Sequence, residues 1–166
     1  MTLPRWLSEA LTLSLALSRW QQLGLAFLLG SFAVATWSDL KHLAAQREFR
    51  EIWLLFLASM LAIDVYEGYT QRKSWEALIV KWGLIGLFSV MSLRRGPLFR
   101  LATSDVAALA AAASLLHPLL IVIFYLTARL LATVLGPLLA RGQPFYPFMP
   151  VVSLAALGVL AVGLMF

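Results

Sequence analysis

The sequence predicts an all-α, polytopic transmembrane helical bundle of about six spans with an N-terminal interfacial helix, on three observations. Of its 166 residues, 61% are hydrophobic and only 13% charged, where a soluble domain carries about 25% charged residues; the mean hydropathy is +0.87. The apolar residues gather into several runs approaching the roughly 18–20 that cross a bilayer core. The short alternating segments of a transmembrane barrel are absent.

The first element expected is an interfacial helix over Leu3 to Ser18, within an N-terminal segment 1–22. Its apolar residues are interrupted by Ser8, Glu9, Thr12 and Ser14, Pro4 suits a first helical position, and Trp6 and Trp20 bracket it as interfacial anchors do. Arg5, Glu9 and Arg19 and the lack of a cleavage pattern argue against a signal peptide. The membrane domain, 23–166, opens with a span from Leu23 to Leu40, where Gly24, Gly30, Ser31, Ala33 and Ala35 offer small faces for helix packing. Asp39 closes that span, and a basic loop, Lys41 to Arg50, follows. A second span is expected from Ile52 to Tyr66, a polar turn from Gly68 to Ser74, and a third span from Trp75 to Leu93. Arg94-Arg-Gly-Pro then breaks the chain.

The fourth segment, Ser104 to Leu116, begins where Thr103 or Ser104 would make a good N-cap. Ala107 to Ala113 is nearly all alanine, a packing face. At 1.5 Å per residue the segment reaches only about 20 Å, short of a core of about 30 Å. Pro118 marks a break before a fifth span to Gly136, and a last span runs from Phe148 to Phe166. Reading Pro118 as a kink instead fuses two segments and leaves five spans. With six, Lys41, Arg47, Arg50, Arg94, Arg95, Arg100 and Arg141 share one side and Arg72 and Lys73 lie opposite, as the positive-inside tendency asks.

The net charge of +5 therefore belongs to membrane-flanking loops, and no nucleic-acid partner is expected; the partner it implies is the lipid bilayer, with its anionic inner leaflet. There is no cysteine, which removes disulfides and thiolate chemistry. His42 and His117 are the only histidines and fall at opposite faces, with no His-Glu-x-x-His pattern, so no metal site is expected. A serine nucleophile needs a base beside it, and His117 lies at the far end of its helix from Ser104. Arg129, in the fifth span, is expected to snorkel. Asp64 lies towards the opposite face from Asp39, which suits a structural or interfacial role.

Two carboxylates remain. Asp39 ends the first span and Asp105 starts the fourth; two spans intervene, so both come to one face. An acid at membrane depth costs about 2.5–3.5 kcal/mol on insertion scales. When two carboxyls share a dry site only one ionises readily, so one can donate a proton while the other activates water. The bland alternatives are an acid favouring a helix N-terminus at Asp105 and an interfacial acid at Asp39.

Asp39 in Ser-Asp-Leu-Lys-His-Leu, the later Arg-Glu-Phe-Arg-Glu-Ile-Trp, Asp105 in Ala-Thr-Ser-Asp-Val-Ala-Ala, and Pro-Phe-Tyr-Pro-Phe before the last span occur in one order. Together, over Leu23 to Phe166, the chain resembles the prepilin and preflagellin peptidases, intramembrane aspartyl proteases of the Gly-x-Gly-Asp type. The resemblance implies Asp39 and Asp105 as the catalytic pair and Ser104, Pro144, Phe145 and Pro147 as the active-site wall. It implies no cofactor, a prepilin-like or preflagellin-like substrate, and a multi-pass protein of the plasma membrane with its site towards the cytoplasm. Three features depart from that family: Ala102, Thr103 and Ser104 stand where glycines are usual, His42 to Gln46 reads as an insertion, and the cysteine-containing region of bifunctional bacterial members is missing. The last implies a peptidase without a methyltransferase step, closer to archaeal members. Two other readings stay open: a non-catalytic relative acting in membrane binding or assembly, and a small transporter or proton channel using Asp39, Asp64 and Asp105 as a relay.

Overall fold

The computed structural model describes residues 4–13, 17–42, 47–70, 72–93, 96–140 and 146–165. Among them every regular element is an α-helix: α1 Arg5–Leu11, α2 Arg19–His42, α3 Arg47–Tyr69, α4 Trp75–Ser92, α5 Thr103–Ala113, α6 Pro118–Ala140 and α7 Met149–Met165. Three of these, α2, α4 and α6, are long and apolar enough to cross a membrane. Their outward faces suit lipid: Leu126, Leu130, Val134 and Leu138 form one exposed stripe along α6, a continuous apolar surface that water would penalise.

Several sequence boundaries need correction. Of the interfacial helix expected over Leu3 to Ser18, the described residues are helical from Arg5 to Leu11, and Thr12 and Leu13 are not helical. The basic loop after Asp39 is shorter than Lys41 to Arg50, because α2 runs on to His42 and α3 already begins at Arg47. Arg94, Arg95 and Arg141 lie outside the described residues. At Pro118 the chain forms two helices, α5 ending at Ala113 and α6 starting on the proline, where its fixed φ suits the first turn.

The centre of the bundle is α5. It packs against α3, α4, α6 and α7, and every residue from Val106 to Ala113 is buried. A helix enclosed on all sides must be apolar all round, and alanine lets four neighbours approach its backbone closely. On α2 the small residues divide. A side chain at Gly24 would press on Met60 and Phe56 of α3, whereas Gly30 has open space beside it and Ala33 faces outward. The Ser31 hydroxyl accepts from Trp53 Nε1 at 3.2 Å, and Trp53 meets Phe32 edge-on at 5.7 Å, fixing α2 on α3.

The link from α4 to α5 is a tight excursion rather than a strand. Leu98 N–H donates to Met91 O at 2.9 Å and Leu101 N–H to Ser92 O at 2.8 Å, leaving one isolated bridge between Leu93 and Leu101. Gly96 is required there, since a Cβ would lie 2.1 Å from the Met91 carbonyl oxygen. Arg100 takes a left-handed φ of 64°, a conformation that costs a non-glycine residue about 1–2 kcal/mol.

Candidate active site

Asp39 sits in the last turn of α2 and is only 4% exposed. Its Oδ2 accepts the Met149 N–H at 2.9 Å, and the Phe148 amide bonds it too. Those are the orphan donors that open α7, so Asp39 caps a helix 110 residues away in sequence. The α7 start has its own local logic: Pro150 falls in the first turn, where a missing N–H costs nothing. A carboxylate also suits the positive end of the helix dipole. Nearby, the Thr36 and Ser153 hydroxyls share a hydrogen bond of 2.8 Å, a second tie between α2 and α7.

Asp105 stands in the first turn of α5. The expected cap at Thr103 or Ser104 is corrected: the N-cap is Ala102, extended at φ −70°, ψ 159°, with no side-chain cap bond. Asp105 reaches back instead to the Ala102 backbone, the reciprocal half of a capping box. Ala102 is therefore extended backbone open to any residue, while Thr103 and Ser104 are helical. None of the three needs glycine's freedom; the left-handed residue of this link is Arg100.

The structure brings the two carboxylates together at the junction of the α2 C-terminus and the α5 N-terminus, close enough for the Asp39 charge to act on Asp105. Ser104 borders Asp105 and is partly exposed, and Pro147 is buried just before α7. Pro144 and Phe145 lie outside the described residues.

Tyr146 belongs to the same region, though the sequence singled it out only as part of the Pro-Phe-Tyr-Pro-Phe element. Its ring packs over Gly136 of α6 and against Phe148, with centroids 6.2 Å apart. Burial raises the Tyr146 phenol above its ordinary value; the Arg129 charge opposes that and the Asp105 charge adds to it. Arg129 is exposed and lies over the Phe99 ring at 5.8 Å, and Phe99 in turn meets Phe148 edge-on at 5.6 Å. An aromatic wall of Phe99, Tyr146 and Phe148 thus stands beside the carboxylates, with one guanidinium at its rim.

Asp64 is a buried structural acid. It is 1% exposed, and its Oδ2 accepts from Lys81 Nζ at 2.6 Å and Trp82 Nε1 at 3.0 Å. Lys81 escaped the sequence reading. The signal was a lysine inside the apolar run Ala77 to Leu87, since a charge at membrane depth calls for a partner.

Among the described residues no group of three or more His, Asp or Glu side chains is arranged to hold a metal ion. Comparison with known protein families, with characterised proteins and with solved structures finds no match to this chain.

Proposed function

We propose that the chain is a membrane-embedded aspartyl endopeptidase that removes the leader peptide of prepilin-like or preflagellin-like proteins at the cytoplasmic face. The reading takes α2 to α7 as six spans, with α1 in the interface. The observation that carries it is the pairing of Asp39 and Asp105, contributed by the ends of two separate helices and held within Coulombic reach. Repulsion between two partly desolvated carboxylates favours one of them holding a proton while the other is ionised. The protonated carboxyl donates to the scissile carbonyl oxygen while its ionised partner takes a proton from the attacking water. The tetrahedral intermediate then expels the amine, which leaves with a proton returned from the site. No cofactor enters. The substrate's apolar helix stays in the bilayer, and its basic leader bends towards the carboxylates along the Phe99–Tyr146–Phe148 wall.

A second reading, a non-catalytic relative that binds or assembles membrane partners, is favoured by one observation: Asp39 already holds the α7 amides. Cleavage of a panel of leader peptides fused to their apolar helices, in detergent or liposomes, separates the two. The peptidase reading expects cleavage by the unaltered protein and its loss in both Asp39→Asn and Asp105→Asn. Cleavage indifferent to both substitutions would remove the assigned site, and no cleavage of any panel member by a folded protein would favour the non-catalytic relative.

A further inference from the structure

A second charged cluster lies at the other end of the bundle, about 27 Å along α2 from Asp39 at 1.5 Å per residue. Its floor is Asp64, which besides Lys81 and Trp82 receives Lys73 Nζ at 3.2 Å and Gln21 Nε2 at 3.3 Å. Lys73 also pairs with Glu67 at 2.7 Å. Above this floor opens a cavity of about 230 Å³, lined by Glu9, Gln21, Arg72, Lys73, Lys81 and His117 together with apolar residues. The α1 helix closes over it. Glu9 Oε2 accepts from the Ser74 N–H at 3.0 Å and the Ser74 hydroxyl at 2.7 Å, and Arg5 Nε donates to Glu9 Oε1 at 2.7 Å.

Two features leave the cavity with a small excess of positive charge. First, among the described residues the cations Arg5, Arg72, Lys73 and Lys81 outnumber the acids Glu9, Asp64 and Glu67; Arg5 pairs with Glu9, and Lys73 and Lys81 pair with Asp64 and Glu67. The cations Arg72, Lys73 and Lys81 share the same wall, and the Arg72 guanidinium has no hydrogen-bond partner among the described residues. Second, α2, α4 and α6 all begin at this end, and Gln21, Ala77 and Pro118 from their first turns line the cavity. Each N-terminus adds roughly half a positive charge.

We propose that this cavity is a binding site for a phosphate group, carried either by a phospholipid headgroup or by free phosphate. Arg72 offers the planar fork that matches phosphate oxygens, and Lys73 and Lys81 act as point charges. The volume suits a phosphate with part of its hydration, at about 30 Å³ per water, and is below that of sites for drug-sized ligands, about 300–1,000 Å³. The site is separate from Asp39 and Asp105 and is independent of any peptidase activity.

The test is the thermal unfolding midpoint of the full chain in a neutral detergent. It is titrated in one arm with phosphatidylglycerol and in another with inorganic phosphate, against chloride at matched ionic strength. A saturable rise with the lipid alone assigns a headgroup, and a rise with inorganic phosphate assigns the free anion. In either case Arg72→Gln raises the half-saturating concentration about tenfold, the size expected for one charge-assisted hydrogen bond, as does Lys73→Gln. The Arg72 side chain is exposed and its guanidinium has no hydrogen-bond partner among the described residues, so its substitution leaves the fold intact, and Asp39→Asn leaves the titration unchanged. No rise beyond the chloride control, or a half-saturating concentration unmoved by Arg72→Gln, overturns the proposal.

Discussion

Asp39 carries two separable duties, a cap for α7 and a member of the carboxylate pair, and a pair of substitutions tells them apart. Asparagine keeps an oxygen where Oδ2 accepts the Met149 N–H, so Asp39→Asn preserves the cap and removes only the charge and the exchangeable proton. Alanine removes the cap as well. Losing an N-cap costs about 0.5–2 kcal/mol, and a buried amide left without a partner costs about 1–3 kcal/mol. Because Asp39 is 4% exposed, water cannot easily replace it. We therefore expect Asp39→Ala to lose about 1–3 kcal/mol and Asp39→Asn to lose under about 1 kcal/mol, because the amide oxygen keeps the Met149 bond and only the charge, with its attraction to the helix dipole and the α7 amides, is missing. Denaturant unfolding in detergent, followed through tryptophan fluorescence, measures both, and leader cleavage is read on the same samples. The peptidase reading expects cleavage to vanish in both variants while only alanine softens the fold. Equal destabilisation by asparagine and alanine would refute the cap, and cleavage surviving in the asparagine variant would refute the catalytic duty.

Two further outcomes follow from the far cluster. Asp64→Asn leaves Lys81 buried without the one ion-pair partner it has among the described residues, and stability should fall by about 3–5 kcal/mol. Lys81→Met should cost less, because Asp64 keeps Lys73, Trp82 and Gln21, and the double variant should recover much of the loss; additive losses in unfolding experiments would show that the pair is not coupled. His117, facing Lys73, Lys81, Glu9 and Asp64, is lowered from 6.5 to about 4 by burial and then by the lysine charges. The fold thus prefers the neutral imidazole, and this contribution is whole above pH 6.5 and lost as pH falls towards 4. His117→Gln should flatten the stability curve over that window relative to the unaltered protein, and parallel curves would count against it.

Much of the architecture was legible because apolar runs and breakers act locally. Pro118 separates helices where the sequence placed a break, the turn expected from Gly68 begins two residues later because α3 runs to Tyr69, and alternating direction is enough to bring the α2 C-terminus and the α5 N-terminus to one end. The helix caps were not legible. Thr103 and Ser104 have the right chemistry for an N-cap, yet the chain enters α5 from Ala102, because the bridge at Leu93 and Leu101 fixes where the excursion ends. Asp39 as the cap of α7 is equally silent in sequence, since its partner is supplied by tertiary packing. Lys81 was legible in principle: an apolar run interrupted by one lysine predicts a buried acid elsewhere, and Asp64 stands near the end of the preceding apolar run. Pro144 and Phe145, the remaining wall residues, lie outside the described residues.

The shortness of α5 has an electrical consequence. Eleven residues at 1.5 Å each span about 16 Å, roughly half of a hydrocarbon core of about 30 Å. Polar groups stand beyond both ends, Asp105 at the N-terminus and the His117 cavity past the C-terminus. In a bilayer, water reaching those groups would leave the alanine helix as the only insulator between two wet vestibules. A membrane potential would then drop across half the usual distance, and the local field along α5 would be about twice that across the surrounding lipid. Any charge that moves between the ends of this helix senses nearly the whole voltage, about 2.3 kcal/mol per elementary charge at 100 mV.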